Sequence, residues 1–392
     1  MIYLDNAATT KISDEVLSEM LPYLTDLYGN AGAMYRLGLE SNKAISLARE
    51  RVARFIKCRP EQVVFTSGGT ESNNMAMRGL VQRCVSQGKN HIITSSTEHD
   101  SILNLLSQLK KEYDISISYV FPDRNTGVIT ADAVERLITP ETGLVSIMAV
   151  NNEMGTINEI EQIGKMLMER EILYHTDCVQ AAGSIDIDVE RFNCDFLSLS
   201  GHKIHAPKGV GAVYMRDFNI SPLICGGASQ ENGMRGGTEN VASIVAFGKA
   251  CENQNLRLEE STDNYKKMRL VFEKTLTDEL SKYGIKKIMT INNENFITCN
   301  KIVSVRFDNV DAQTLVLFAD SKNLCISAGS ACKNHENEPN QTLLAFGLNE
   351  KQSRETVRVS FSELLKEEDA SDAAKIIAWC VNCITNNLNK RR

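Results

Sequence analysis

Between residues 62 and 215, short apolar runs alternate with stretches whose apolar residues recur at helical spacing. The runs QVVFT (62–66), HIITS (91–95), ISISYV (115–120), LVSIMAV (144–150), EILYHT (171–176), DFLSLS (195–200) and GAVYM (211–215) predict seven strands. Most are β-rich, and helical patterns lie between many of them, which is the signature of a mostly parallel sheet covered on both faces. Ahead of them, residues 14–28 and 38–57 read as helices separated by the turn-rich YGNAGA. From about residue 239 a charged amphipathic stretch runs to about 284 and predicts one or two helices. Strand KIVSVRF (301–307), a helix near 311–321, strand TVRVSF (356–361) and a final helix near 367–388 follow. The expected class is α/β. A large domain over 14–257 holds the seven-stranded, helix-covered sheet, a smaller α+β domain fills 258–392, and residues 1–13 pack with the small domain.

Composition leaves that picture intact. At 392 residues, two domains are the expected division, and 42% hydrophobic with 24% charged residues is ordinary for a soluble globular protein. A formal net charge of −7 argues against a direct nucleic-acid binder or a membrane-surface protein. No apolar run approaches a membrane span, and no export signal is visible at MIYLDNAATT. The eleven cysteines have no framework spacing, so the expectation is reduced thiols in a cytoplasmic protein. Cys380 and Cys383 form a C-x-x-C inside the last helix and read as helix-face packing.

The chemistry-bearing residues gather where strands end. TSGGTESNN (66–74) follows one strand and opens a helix, so its glycines and free N–H groups suit an anion; it is neither a Walker loop nor G-x-G-x-x-G. STEHDS (96–101) ends a second strand and carries His99; VNNEMG (150–155) ends a third with two amides and a carboxylate. HTDCVQAAG (175–183) offers Asp177 and Gln180, and SGHKIHAPKG (200–209) places Lys203 at the end of an apolar run. In an open α/β sheet such strand ends share one crevice. An amine, a carboxylate, an anion-binding turn and a histidine in one crevice match the needs of pyridoxal 5'-phosphate, which requires a lysine for its Schiff base, an acid at the pyridine nitrogen and a phosphate cradle.

The chain resembles the cysteine desulfurases, a branch of the fold-type I, class V aminotransferase-like pyridoxal-phosphate enzymes. The shared motifs are YLDNAATT, SGGTESNN, EH, NNE-x-G, TD-x-x-Q, HK-x-x-x-PKG, G-x-RGGTEN, GSAC and RVS, in that order from residue 3 to residue 360. The resemblance implies that Lys203 carries the cofactor and moves protons on the substrate carbon. It implies that Asp177 pairs with the pyridinium nitrogen, Gln180 meets the phenolic oxygen, and His99 stacks on the ring as an acid–base group. Gly69, Thr70, Ser200 and His202 would hold the phosphate. Thr238 would reach the phosphate of a neighbouring subunit, which implies a homodimer, and Asn152 and Arg358 would hold the carboxylate of L-cysteine.

Cys332 lies in SAGSACKNHENEPN, a polar, charged segment in which a buried structural cysteine would be out of place. By resemblance it is the catalytic thiol of the group with the longer catalytic loop. It would take sulfur as a persulfide and pass it to an acceptor protein in iron–sulfur assembly or tRNA thiolation. A selenocysteine lyase or another class V reaction is the alternative within the family. A non-catalytic sulfur-relay or scaffold protein is the alternative of another class. The chain departs from the family pattern at AGAMY (31–35), at GAS (227–229), at Ala206 and at Ser362, where the last two positions are commonly glycine. His335, Glu336 and Glu338 are unusual neighbours for the cysteine.

Overall fold

A computed structural model describes residues 1–285, 288–290, 295–329 and 339–390; Cys332, His335, Glu336 and Glu338 lie outside the described residues. In chain order the strands are β1 Ile2–Tyr3, β2 Val63–Thr66, β3 His91–Ser95, β4 Ser116–Val120, β5 Thr142–Ser146, β6 Leu173–Asp177, β7 Phe196–Ser200, β8 Gly211–Met215, β9 Ile288–Thr290, β10 Ile302–Phe307, β11 Leu324–Cys325 and β12 Thr356–Ser360. All seven apolar runs between residues 62 and 215 become strands of one sheet, ordered β2-β8-β7-β6-β5-β3-β4. β8 runs antiparallel to β2 and β7, and the other pairings are parallel.

Alternation along the strands explains why the runs are so apolar. Val64, Ile92, Leu144, Phe196 and Val213 face one cluster, which the helices Gly69–Ser86 and Asp100–Glu112 complete through Met75, Leu80, Leu105 and Leu109. Their neighbours Val63, Phe65, Ile93, Val145, Leu197 and Ala212 face a second cluster, closed by Arg36–Ile56 and the start of Val241–Lys282. A sheet buried on both sides cannot show the polar alternation of a half-exposed one.

Three expected elements differ in extent. The strand read as 144–150 ends at Ser146. Beyond it, Ile147 and Ala149 still donate to His175 O and Asp177 O of β6, but Met148 N turns to the carboxylate of Glu98 at 2.7 Å. The helix read as 14–28 is two short pieces, Asp14–Met20 and Pro22–Thr25, because Pro22 has no N–H to continue the ladder. The charged stretch after residue 239 forms a single 42-residue helix, Val241–Lys282.

That helix spans two apolar cores. Val245, Phe247 and Cys251 pack beneath the large sheet, whereas Tyr265, Met268, Phe272 and Leu276 pack in a second core. The second core lies against the antiparallel sheet β12-β10-β9 and the helices Ala312–Asp320 and Glu367–Lys390. Cys380 is buried there, and Cys383 is half-buried beside it. β1 pairs in parallel with β11, Ile2 opposite Leu324 and Tyr3 opposite Cys325, so the first residues join the second core before the chain crosses to the large sheet. Among the described residues no helix is long and apolar enough to cross a membrane, and no cluster of side chains is suited to a metal ion.

Candidate active site

The carboxyl ends of β3, β5, β6 and β7 open on one cleft of about 280 Å³. Lys203 sits there on a single 3-10 turn, Gly201–Lys203, directly after β7. Its Nζ donates to Ala7 O at 2.6 Å and Ala8 O at 2.7 Å. Burial, followed by the positive charges of Arg358 and Lys301, pulls the amine from the ordinary lysine value of 10.5 down to about 8; Asp5 and Asp177 oppose the shift.

Gly68 and Gly69 form the turn from β2 into the helix Gly69–Ser86. Gly68 adopts φ 149°, which favours glycine, and it has no side chain to cap the helix, so the first N–H groups stay available to a ligand. A Cβ at Gly69 would lie 2.9 Å from Val179 Cγ2 and 3.4 Å from Ser200 Cβ, which leaves room for glycine alone without movement. Thr70, Ser200 and His202 line the same end of the cleft. His202 Nδ1 lies 3.1 Å from Thr9 Oγ1. Burial and the neighbouring Lys203 and Lys208 hold its pKa down at about 4, so the ring is neutral at pH 7.

Asp177 closes β6 with both oxygens occupied, Oδ1 by Val179 N–H at 2.8 Å and Oδ2 by Asn73 Nδ2 at 2.7 Å. His99 caps the helix Asp100–Glu112, its Nδ1 accepting from Ser101 N–H at 3.1 Å. Next to it Glu98 is fully enclosed, with Oε1 receiving Met148 N–H and Oε2 without a partner among the described residues. Burial drives its pKa well above the ordinary carboxylate range, and the proximity of Asp177 adds to the rise.

Arg358, on β12, is 3% exposed yet lines the cleft. Its Nη1 donates to Asn152 O at 2.9 Å and Glu153 Oε1 at 2.8 Å, and its Nη2 donates to Asp5 Oδ1 at 3.0 Å. Nε has no partner among the described residues, so two of the five guanidinium N–H groups stay free. Gln180 donates to Ala7 O at 2.8 Å and leaves its buried Oε1 without a partner among the described residues.

Of the residues expected from the sequence, Gly69, Thr70, His99, Asn152, Asp177, Gln180, Ser200, His202, Lys203 and Arg358 all line this cleft. Thr238 does not. It borders a separate cavity of about 250 Å³ with Thr66, Ser67, Arg235 and Asn240. Cys332 lies outside the described residues. The cleft also uses residues that were not singled out: Asp5 and Glu153 on Arg358, the carbonyls of Ala7 and Ala8 on Lys203, and Asn73 and Ser101 between Asp177 and His99. Each lies inside a quoted motif, which is the only signal the sequence held.

The departures fall away from the lining. Ala206 is buried without a left-handed backbone, so its methyl group costs no strain. Ser362 is buried with Oγ 3.4 Å from His205 Nε2, and Met34 and Tyr35 of AGAMY are exposed at the surface.

The donor set fits pyridoxal phosphate. An uncapped helix N-terminus opens on the cleft, and a depressed lysine amine and a carboxylate share it. The buried Gln180 Oε1 and Asn73 Oδ1 are left without partners among the described residues.

Comparison with known proteins agrees. The model of the aminotransferase class-V family matches residues 2–372. The chain is 38% identical over 388 residues to the cysteine desulfurase IscS of Methanosarcina thermophila, covering 98% of this chain and 93% of that protein. A solved NifS-like protein superposes with a TM-score of 0.86 at 33% identity, covering 96% of this chain and 98% of the other. A structure of SspA in complex with cysteine gives a TM-score of 0.77 at 35% identity, covering 92% and 99%. With the family model spanning nearly the whole length and this donor set in the cleft, the chain belongs to the class V aminotransferase family of pyridoxal-phosphate enzymes, among its cysteine desulfurases.

Proposed function

We propose that this enzyme removes sulfur from L-cysteine, releasing L-alanine and leaving the sulfur on Cys332 as a persulfide. The observation that carries the reading is one cleft in which a lysine amine depressed to about 8 shares its walls with Asp177, His99 and Arg358. A solved relative is described in complex with cysteine.

Pyridoxal phosphate, when bound, supplies an electron-withdrawing ring that stabilises negative charge at the substrate α-carbon. The helix N-terminus at Gly69 and Thr70, with Ser200 and His202, would hold its phosphate. Asp177 would hold a proton on the pyridine nitrogen, and Gln180 would offer its remaining N–H to the phenolic oxygen. Arg358 would grip the substrate carboxylate through its two unused N–H groups, beside Asn152. With a pKa near 8, Lys203 can both accept and return a proton close to neutral pH. The Cys332 thiolate would attack the substrate sulfur, forming an S–S bond as the C–S bond breaks, and the carbon would take a proton to leave as alanine. An acceptor protein would then take the sulfur for iron–sulfur assembly or thiolation. Thr238 sits at a cavity of its own, which suits service to the site of a second copy in a homodimer.

The test is incubation of purified enzyme with L-cysteine, with alanine, sulfide and Cys332-bound persulfide measured together. Equimolar alanine and sulfur, with the persulfide on the Cys332 peptide, is the expected result. Alanine formation undiminished in Cys332→Ser would overturn the nucleophile assignment. Turnover of selenocysteine with none of cysteine would make the enzyme a selenocysteine lyase instead.

A further inference from the structure

Asp177 and His99 act on the cofactor in the reading above, and two other side chains join them. Asn73, in the second turn of the helix Gly69–Ser86, is 1% exposed. Its Nδ2 lies 2.7 Å from Asp177 Oδ2 and 2.8 Å from Ser101 Oγ. A carboxylate only accepts, so the amide nitrogen and not the oxygen must face Asp177, and both of its hydrogens are committed. Ser101 Oγ, having accepted from Asn73, keeps its own hydrogen for His99 Nδ1 at 2.8 Å. The backbone N–H of Ser101 donates to the same Nδ1 at 3.1 Å. A backbone N–H cannot accept, so Nδ1 carries no proton and the neutral ring bears its hydrogen on Nε2.

We propose that Asn73 and Ser101 are positioning residues that tie the Asp177 carboxylate to the His99 imidazole, presenting His99 to the cleft as the Nε2–H tautomer. This rests on the assignment of Asp177 and His99 to the cofactor. The chain of donors runs one way, from Asn73 to Asp177 on one side and through Ser101 to His99 on the other. Asp177 accepts one bond on each oxygen and retains lone pairs for a pyridine N–H. His99 is fixed as a hydrogen-bond donor toward whatever stands over it. The backbone cap from Ser101 N–H favours the same tautomer by itself, so the share held by the Asn73 and Ser101 side chains is what the variants read.

The experiment reads the tautomer directly. Cofactor-free protein labelled with ¹⁵N-histidine is examined by NMR at a pH where His99 is neutral, and the His99 signals are identified by their loss in His99→Gln. Wild type is expected to show a protonated Nε2 and a bare Nδ1. Ser101→Ala should raise the Nδ1–H share roughly fivefold, the worth of one net hydrogen bond to that nitrogen, and Asn73→Ala, which only frees the Ser101 hydroxyl to turn, by a smaller factor. Ser101→Thr, which keeps the hydroxyl, should restore the wild-type ratio. In the loaded enzyme, Asn73→Ala should also lose pyridoxal phosphate on dialysis faster than wild type. A protonated Nδ1 in wild type would overturn the proposal, whether or not the variants fold. An unchanged ratio in both folded alanine variants would do the same. The tautomer is read without turnover, so a protein inactive on cysteine that shows the expected ratios supports this inference while failing the desulfurase reading.

Discussion

The amine of Lys203 should titrate near pH 8 in the cofactor-free enzyme. The chain forces it into a place where burial opposes the charge and where Arg358 and Lys301 add repulsion, bringing it from 10.5 to about 8. At pH 7 the neutral fraction then rises from about one in three thousand to about one in eleven, on the order of 300-fold. A neutral amine is what attacks a carbonyl, so this is the difference between an inert and a usable lysine. Competitive acylation with a trace of acetic anhydride, with the Lys203 peptide quantified by mass spectrometry across pH 6 to 11, reads the midpoint independently of how fast the reagent enters. Arg358→Met removes the largest contribution after burial and should move the midpoint upward. The linkage has a definite sign. Between about 8 and 10.5 the unfolded chain keeps a proton that the folded chain has released, so stability rises with pH across that window, by on the order of 3 kcal/mol. Urea denaturation of Lys203→Met should lack that rise. A midpoint above 10 in wild type, or a stability difference between the two proteins that is flat from pH 8 to 10.5, would refute the reasoning.

Three further outcomes follow from contacts in and around the cleft. Gly69→Ala sets a methyl group 2.9 Å from Val179 Cγ2 at the helix entrance, and it should weaken pyridoxal phosphate retention, read by dialysis and absorbance, while the thermal transition of the cofactor-free protein falls modestly. Arg358→Ala strands the buried Glu153 without its cation and should cost roughly 3–5 kcal/mol in urea denaturation; adding Glu153→Gln should recover part of that loss, a non-additivity that independent sites would not show. Burial alone would raise the pKa of Glu363, but the hydrogen bond and charge of His205, with Lys301 and Gln254, hold it far below the usual carboxylate range. Its contribution to stability is therefore present above the ordinary glutamate value and is lost as the pH falls below it, so the drop of stability below about pH 4.5 should be shallower in Glu363→Gln.

The strands were legible because burial on both faces writes an uninterrupted apolar run into the sequence. The same feature produced the overrun at LVSIMAV. Ile147 to Val150 are buried like a strand, but Met148 gives its N–H to Glu98, a contact 50 residues away that periodicity cannot register. Cleft residues were legible where a polar group interrupts an apolar run at a strand end, as at His99, Asp177 and Lys203. Their partners were not. Asn73 reaches Asp177 across 104 residues and Arg358 reaches Asp5 across 353, and nothing in the local pattern marks either as paired. Thr238, expected from its motif to reach the phosphate of a neighbouring subunit, lies at a cavity of its own.

The segment YLDNAATT explains why so many of these groups converge. After β1 pairs with β11, Asn6 Nδ2 holds Ser360 O at 3.0 Å, Asp5 holds Arg358, Ala7 O and Ala8 O hold Lys203, and Thr9 and Thr10 hold His202. Eight consecutive residues thus join the small core to Arg358, Lys203 and His202 around the cleft. The arrangement also limits how firmly it holds the lysine. Ala7 O keeps a second donor in Gln180 Nε2 at 2.8 Å, so it stays satisfied if Lys203 turns away. The favourable terms opposing burial of the ammonium are then the two carbonyl contacts and the charges of Asp5 and Asp177, and the contacts vanish when Nζ bonds a carbonyl carbon, its two amine hydrogens leaving with the carbonyl oxygen as water. A lysine fixed by a carboxylate would lose a full ion pair in the same step. Two neutral acceptors hold the resting amine in place at far smaller cost to its release, which is the balance a lysine needs if it must leave its partner once in every catalytic cycle.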